Sequence, residues 1–74
     1  MAHISVDTYL GFKGEDTPRA FTLEGEKIQV TEVIEQWYSD EESFFRVQGN
    51  DGHQYVLRYN LEGRTWELIM REGS

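Results

Sequence analysis

One pair of side chains in this 74-residue sequence has the types and spacing for acid–base chemistry, because His53 follows two residues after Asp51. A histidine beside a carboxylate can act as a general base. Both residues flank a tight turn, however, where Asp and His are commonly exposed. The chain has no cysteine, and no serine stands in an obvious triad arrangement with a histidine. We therefore expect a protein that is not an enzyme.

The residue types predict neither a metal site nor a cofactor site. The histidines His3 and His53, without a thiolate, do not make up a zinc site. The run 40–42 (DEE) forms an acidic tip, but three adjacent carboxylates lack the alternating ligand spacing of a calcium loop. The glycines are scattered among turns and do not form a phosphate-binding loop before a helix. We interpret the acidic run as a solvated loop and expect no metal or cofactor.

Three arginines give a more specific signal, because the predicted strand register places them on one face of a sheet. Arg46, Arg58 and Arg71 fall opposite the core face, and Phe44 lies across from Arg58. Arginine and aromatic residues are enriched at interface hot spots, and barrels that bind single strands use the same mixture. These four residues are therefore candidate binding residues. The alternative is that residues 1–17 cover this face and turn its apolar groups into a second core.

Charge and composition bear on the partner and the compartment. Fourteen acidic and seven basic residues give a net charge of −7, which disfavours a nucleic-acid partner because phosphate neutralisation supplies most of that affinity. No stretch approaches the roughly 20 apolar residues of a membrane span, and the N-terminus lacks the pattern of a secretory signal. The absence of cysteine fits a reducing compartment. We expect a cytoplasmic protein that binds another protein, with single-stranded nucleic acid as the alternative.

The elements that position these residues are strands, because apolar residues recur with a period of two almost throughout. Six extended segments are predicted, at 3–9, 19–24, 26–38, 43–49, 53–60 and 64–72, with a loop at 10–17. In the third segment two pairs of adjacent apolar residues break the alternation, which predicts a β-bulge near 31–33. A helix over 31–42 is the alternative, because the same residues fit a helical stripe.

Turn residues set the register of the last three segments. The run 50–52 (NDG) predicts a three-residue hairpin, and a second hairpin turns at 61–64. The predicted pairs are Phe45–Leu57 and Val47–Tyr55 in the first, and Leu57–Leu68, Val56–Ile69, Tyr55–Met70 and Gln54–Arg71 in the second. Both registers put Tyr55, Leu57 and Tyr59 on one face, which predicts a three-stranded meander. An earlier turn at 24–25 places Phe21 opposite Ile28.

These segments predict an all-β fold, a small partly open antiparallel barrel (SH3-like) of five or six strands that forms one domain over residues 1–74. The predicted core comprises Phe21, Ile28, Val30, Phe45, Val47, Tyr55, Leu57, Tyr59, Trp66, Leu68 and Met70. An edge strand of a partly open barrel can pair with another chain. A monomer and a homodimer through a sheet edge are therefore both open.

Core aromatics and turn glycines occur in several characteristic segments between Ile4 and Arg71. These are PRAFTLEG at 18–25, IQVTEVIEQW at 28–37, FRV at 45–47, DG at 51–52, YVLRY at 55–59 and WEL at 66–68. In these segments the chain resembles an uncharacterised bacterial family of small β domains, found alone or appended to proteins related to Y-family DNA polymerases. The resemblance implies a cytoplasmic accessory domain near DNA repair, without assigned catalytic residues. The family members are richer in arginine than this chain, which disfavours contact with DNA here.

Overall fold

The described part of the chain consists of β-strands joined by short turns. The computed structural model describes residues 2–10 and 16–72. The strands are β1 (Ala2–Leu10), β2 (Asp16–Leu23), β3 (Glu26–Tyr38), β4 (Glu42–Gly49), β5 (Gln54–Asn60) and β6 (Thr65–Glu72). The all-β prediction is confirmed, and β3 together with the start of β4 excludes the alternative helix over 31–42. Of the predicted loop at 10–17, residues 11–15 lie outside the described residues and the flanking residues belong to strands.

The six strands form a closed antiparallel barrel in chain order. Each long strand divides between two neighbours. Residues 2–4 of β1 pair with β6 and residues 5–10 pair with β2. Residues 26–29 of β3 pair with β2, and residues 30–38 pair with β4. The small antiparallel barrel expected from the sequence is confirmed. Because β1 pairs with both β2 and β6, this barrel is closed, whereas the sequence predicted a partly open one.

Two bulges allow β3 to bend between its neighbours. Its pairing with β4 shifts by one residue between Val30 and Glu32, and again between Val33 and Glu35. Thr31 and Ile34 are therefore the extra residues. Each bulge bends the strand and increases its twist. The bulge predicted near 31–33 is confirmed, whereas the sequence does not predict the second.

The β2–β3 hairpin follows from the backbone of its two turn residues. Glu24 has φ 51° and Gly25 has φ 81°. Two successive residues with positive φ form the turn type whose twist matches that of the flanking strands. The predicted pairing of Phe21 with Ile28 is confirmed.

The β4–β5 hairpin has the predicted register along its whole length, including the pairing of Phe45 with Leu57. Gly52 in its turn adopts φ 89°, the left-handed conformation that glycine reaches without steric cost. Alternate residues of β4 are buried and partly exposed, as expected for a strand with one face toward the core.

The β5–β6 hairpin keeps the predicted register only near its turn. Leu57 pairs with Leu68 as predicted, but Val56 pairs with Met70. Ile69 is therefore an extra residue in β6. The predicted pairing of Val56 with Ile69 is wrong, because this bulge shifts every later pair by one residue.

The bulge at Ile69 also changes which residues of β6 face the core. Tyr55 pairs with Arg71, and Gln54 pairs with Glu72. The predicted pairs of Tyr55 with Met70 and of Gln54 with Arg71 are therefore wrong, because a shift of one residue inverts the faces of a strand. Met70 is 46% exposed, so its predicted place in the core is also wrong.

The core of the barrel is a small cluster of predicted residues. Its buried members are Phe21, Ile28, Phe45, Val47, Tyr55 and Leu57. Partly buried residues pack around them, namely Ile4, Val6, Leu23, Val30, Val33, Trp66 and Leu68. The rings of Phe21 and Tyr55 meet edge to face with their centroids 4.9 Å apart, an arrangement that adds about 0.5–1.5 kcal/mol beyond area burial.

Candidate functional site

The outer face of the β3–β6 sheet carries three of the four predicted binding residues. Phe44 pairs with Arg58 across β4 and β5, and Arg46 shares their side of β4. The side chains of Arg46 and Arg58 are 28% and 21% exposed. The alternative that residues 1–17 cover this face is wrong for the described residues, because β1 joins the barrel wall beside β6.

Arg71 lies elsewhere, so the prediction that it shares a face with Arg46 and Arg58 is wrong. Its pairing with Tyr55 places it on the side of β6 that faces the barrel interior. There it lines a cavity of about 140 Å³ at one mouth of the barrel, together with Leu23, Glu24, Glu26, Ile28, Asp51 and Tyr55. The structure therefore separates the three predicted arginines into two places.

Each arginine of the outer face contacts two carboxylates. Arg46 lies 3.4 Å from both Glu35 and Glu72, and Arg58 lies 3.2 Å from Glu42 and donates a hydrogen bond to Glu67. The hydrogen bond to Glu67 raises the pKa of Arg58. Four carboxylates around two guanidinium groups leave an excess of negative charge, which does not suit a phosphate backbone.

An aromatic pair lies on the same outer face. Trp37 of β3 pairs with Phe44 of β4, and their rings stack with centroids 5.4 Å apart and an interplanar angle of 4°. Trp37 is 37% exposed. This ring pair is an apolar surface beside the charged network.

A concave feature lies on the inner face, at the end of the barrel where β3 ends. A cleft of about 470 Å³ opens there. Its walls come from β3, β4, β5 and the β5–β6 turn, through Gln36, Tyr38, Ser43, Phe45, Tyr59, Leu61 and Arg64. This volume lies within the range of about 300–1,000 Å³ that is typical of ligand pockets. We refer to it as the β3 cleft.

Strand register brings the residues of the β3 cleft together. Gln36 pairs with Phe45 and Tyr38 pairs with Ser43, and Ser43 also pairs with Tyr59. Paired residues point to the same side of a sheet, so these side chains continue the core face of the barrel. β2 pairs with β3 only at residues 26–29, so β2 does not cover this end of the face.

The floor of the β3 cleft is formed by the rings of Phe45 and Tyr59, which pack on Trp66, a residue outside the cleft lining. Trp66 lies against both Phe45 and Tyr59, with centroid distances of 5.5 and 4.8 Å. Phe45 is only 2% exposed, whereas Tyr38 at the rim is 63% exposed. A buried floor and an exposed rim make a pocket that exists before any ligand binds.

Polar groups stand at two walls of the β3 cleft. The side-chain amide of Gln36 donates a hydrogen bond to the hydroxyl of Tyr38. Across the cleft the backbone N–H of Arg64 donates to the carbonyl oxygen of Asn60 at 2.7 Å, and Arg64 has φ 55°. This turn holds the arginine at the cleft, where its guanidinium can donate to carbonyl oxygens of a ligand.

Five of the seven residues that line the β3 cleft were not predicted as site residues, and the other two, Phe45 and Tyr59, were assigned to the core. The five come from three segments that no motif connects, namely β3 (Gln36 and Tyr38), β4 (Ser43) and the β5–β6 turn (Leu61 and Arg64). One signal was available, since the adjacent residues Trp37 and Tyr38 must point to opposite faces of a strand. One of these two aromatic side chains therefore lies outside the barrel in any register.

Asp51 makes its side-chain hydrogen bonds within the β4–β5 turn and to the core. Its carboxylate accepts hydrogen bonds from the backbone N–H of His53, at 3.1 Å, and from the hydroxyl of Tyr55. Burial raises the pKa of Asp51, but these two hydrogen bonds outweigh burial and bring the pKa below its usual value. The contacts of Asp51 therefore go to the backbone of His53 and to a core tyrosine.

Within residues 2–10 and 16–72, no group of three or more His, Asp or Glu side chains is arranged to hold a metal ion. The same residues contain no helix long and apolar enough to cross a membrane. No family model, curated protein or solved structure matches the chain.

Proposed function

We propose that this chain is a non-catalytic protein-interaction module that binds an extended peptide segment of a partner protein in the β3 cleft. The observation that carries the proposal is the cleft itself, which combines a floor of packed rings with an exposed tyrosine at its rim. Aromatic residues in preformed pockets are the usual anchors of protein interfaces. Domains that bind extended peptides place alternate side chains of the peptide in such pockets.

The chemistry of the cleft walls fits a peptide. The ring floor offers an apolar surface for one peptide side chain, and Gln36 and Arg64 offer N–H donors for peptide carbonyl oxygens. Tyr38 contributes both a ring face and a hydroxyl. The proposal includes a cytoplasmic location, which the absence of cysteine supports.

The nucleic-acid alternative, which the family resemblance connects with DNA repair, draws less support. The stacked rings of Trp37 and Phe44 could receive a base. However, Arg46 and Arg58 already contact four carboxylates on that face. A phosphate backbone would meet more negative than positive charge there.

The test uses peptides selected from a random displayed library against the wild-type domain. Their affinity is then measured by fluorescence anisotropy for the wild type, Tyr38→Ala and Tyr9→Ala. Tyr9 is 48% exposed on β1 and does not line the cleft, so Tyr9→Ala is a matched control. We expect Tyr38→Ala to weaken binding at least about tenfold, the effect of losing one interface anchor, and Tyr9→Ala to leave it unchanged.

Two results would overturn the proposal. The first is an equal affinity of the selected peptides for wild type and Tyr38→Ala. The second is micromolar binding of single-stranded DNA that falls steeply with salt and is lost in Trp37→Ala, together with failure to select any peptide. That result would favour the nucleic-acid alternative on the outer face.

A further inference from the structure

Beside the β3 cleft, β3 has a backbone edge without a neighbouring strand in the described chain. β2 pairs with residues 26–29 of β3, and β4 pairs with residues 30–38 from the other side. Among residues 2–10 and 16–72, no strand pairs with the side of residues 30–38 that faces away from β4. An unpaired strand edge presents N–H and C=O groups with which another chain can pair.

The part of this edge that suits an added strand is Glu35–Tyr38. Both bulges of β3 lie before Glu35, and the register with β4 is constant from there to Tyr38. A regular strand presents its backbone groups at the spacing of an antiparallel or parallel ladder. Gln36 and Tyr38 within this stretch also line the β3 cleft. A strand added here would therefore direct alternate side chains toward the cleft.

The chain around this edge is acidic. Residues 28–45 contain no Lys or Arg and five acidic residues, Glu32, Glu35, Asp40, Glu41 and Glu42. Glu32 and Glu35 belong to β3 itself. Glu35 lies 3.4 Å from Arg46 and Glu42 lies 3.2 Å from Arg58, so part of this charge is already compensated. The remainder is part of the net charge of −7 that the whole chain carries.

Charge decides between two occupants of the edge. A second copy of this chain would bring its own acidic β3 and the same net charge of −7 to this edge, and the like charges of the two copies would repel each other. A segment rich in arginine and lysine meets the opposite charge instead. Its cations can also lie over the exposed rings of Trp37 and Tyr38, an attractive arrangement for a guanidinium.

We infer that the partner segment is basic and extended, and that it adds to β3 as a strand along Glu35–Tyr38 with one side chain in the β3 cleft. This inference rests on the proposed function and adds the charge and binding mode of the partner. The edge supplies main-chain hydrogen bonds, the cleft supplies a side-chain pocket, and the carboxylates select the charge.

The test uses three synthetic peptides of equal length, in which valine alternates with arginine, with threonine or with glutamate. Valine favours an extended strand in all three, so that only the charge differs. Binding to isotope-labelled protein is followed by NMR titration at low and moderate salt. We expect the arginine peptide to bind at least about tenfold tighter than the threonine peptide, and the glutamate peptide not to bind.

Amide hydrogen exchange reports on strand addition directly. We expect exchange of those backbone amides within residues 35–38 that point away from β4 to slow at least about tenfold in the arginine complex, because new inter-strand hydrogen bonds protect them. Glu32→Lys should lower the affinity for the arginine peptide by roughly three- to tenfold. Glu26→Lys is the control, because it makes the same charge change at a position of β3 that pairs with β2. We expect Glu26→Lys to weaken binding of the arginine peptide less than Glu32→Lys does.

Each result distinguishes the inference from the proposed function. Equal affinity for the arginine and threonine peptides, with resonances of Tyr38 perturbed by both, would overturn the basic partner and leave the peptide-binding module standing. Arginine-peptide binding without protection of residues 35–38 would overturn strand addition.

A concentration-dependent dimer in sedimentation that protects these amides without peptide would make a second copy the occupant. No response to any peptide at Glu35–Tyr38 or the cleft would overturn the inference. The proposed function then stands or falls on the Tyr38→Ala comparison.

Discussion

Gly49 stands where β4 meets the turn that follows it, and its neighbours leave no room for a side chain. A Cβ atom there would lie 2.7 Å from Oδ1 of Asp51, 2.9 Å from Cγ2 of Ile28 and 3.0 Å from Cε2 of Tyr55. The φ angle of Gly49 is not positive, so this crowding, rather than backbone strain, requires glycine. Two of the three neighbours are buried core residues that cannot move freely.

We expect Gly49→Ala to lower the free energy of unfolding by about 1–3 kcal/mol, the usual cost of overpacking. Urea denaturation measures it. Gly63→Ala is the matched control, because a Cβ there would have its nearest neighbour, Oγ1 of Thr65, at 3.5 Å. We expect that control to change stability by less than about 0.5 kcal/mol. Equal losses in the two variants would contradict the crowding described at Gly49.

Tyr55 makes the stability of the domain sensitive to alkaline pH. Burial and the hydrogen bond to Asp51 raise the pKa of Tyr55 to about 12, from an ordinary value of 10.0. The folded protein therefore keeps a proton that the unfolded chain loses, and the stabilisation is complete below about pH 10 and lost as pH rises toward about 12. Tyr55→Phe has no such group.

We expect the difference in unfolding free energy between wild type and Tyr55→Phe to decline from about pH 10 to about pH 12. Urea denaturation of both proteins over this interval measures the difference. Because the variant shares every other titrating group, it serves as the control for general alkaline unfolding. A difference that stays constant or grows would contradict the raised pKa of Tyr55.

At the scale of the strands, the two tryptophans have different roles. Trp66 of β6 packs on Phe45 and Tyr59 beneath the β3 cleft. Trp37 of β3 is 37% exposed and stacks on Phe44 alone among the described rings. We expect Trp66→Ala to cost about 3 kcal/mol and Trp37→Ala about 1 kcal/mol in urea denaturation. Similar costs would contradict the assignment of Trp66 to the barrel interior.

Turn chemistry explains why one hairpin register was predictable. The β4–β5 turn contains Gly52 in the left-handed conformation, which selects a short loop and so fixes the pairing of Phe45 with Leu57. β6 offers no such signal after Leu68, because Leu68, Ile69 and Met70 are three consecutive apolar residues. Either register puts an apolar residue on the core face there. The bulge at Ile69 decides between them.

The candidate site was predictable only in part for a related reason. Phe44, Arg46 and Arg58 lie on the outer face as the register predicts. The ion pairs of Arg46 depend on carboxylates of two other strands, Glu35 of β3 and Glu72 of β6. No local pattern connects those residues in the sequence. The β3 cleft is likewise assembled from distant segments, so it emerges only when the strands are in place.

Across the whole molecule, the two mouths of the barrel differ in what fills them. At one mouth the Asp51–Tyr55 hydrogen bond and Arg71 border a cavity of about 140 Å³. At the other mouth β3 extends beyond its pairing with β2, and the cleft there reaches about 470 Å³. The core face of the barrel is thus closed by a hydrogen bond and a small cavity at the Asp51 mouth, and it forms the β3 cleft at the other mouth.

The pairing of β1 with β6 has a kinetic consequence. The other strand pairs join neighbours in the chain, whereas this one brings Ile4 opposite Trp66, near the other end of the sequence. Closing so long a loop costs more entropy than forming a hairpin. The meander of β4, β5 and β6 should therefore assemble before the rate-limiting barrier, and the ring should close after it.

Stopped-flow measurements of the folding and unfolding rates report that order. Ile4→Ala should leave the folding rate nearly unchanged and speed unfolding, because the contacts of Ile4 with the core form late. Val47→Ala, in the early meander, should slow folding instead. If Ile4→Ala slowed folding as much as Val47→Ala, the ring would close before the barrier, and the first strand would belong to the folding nucleus.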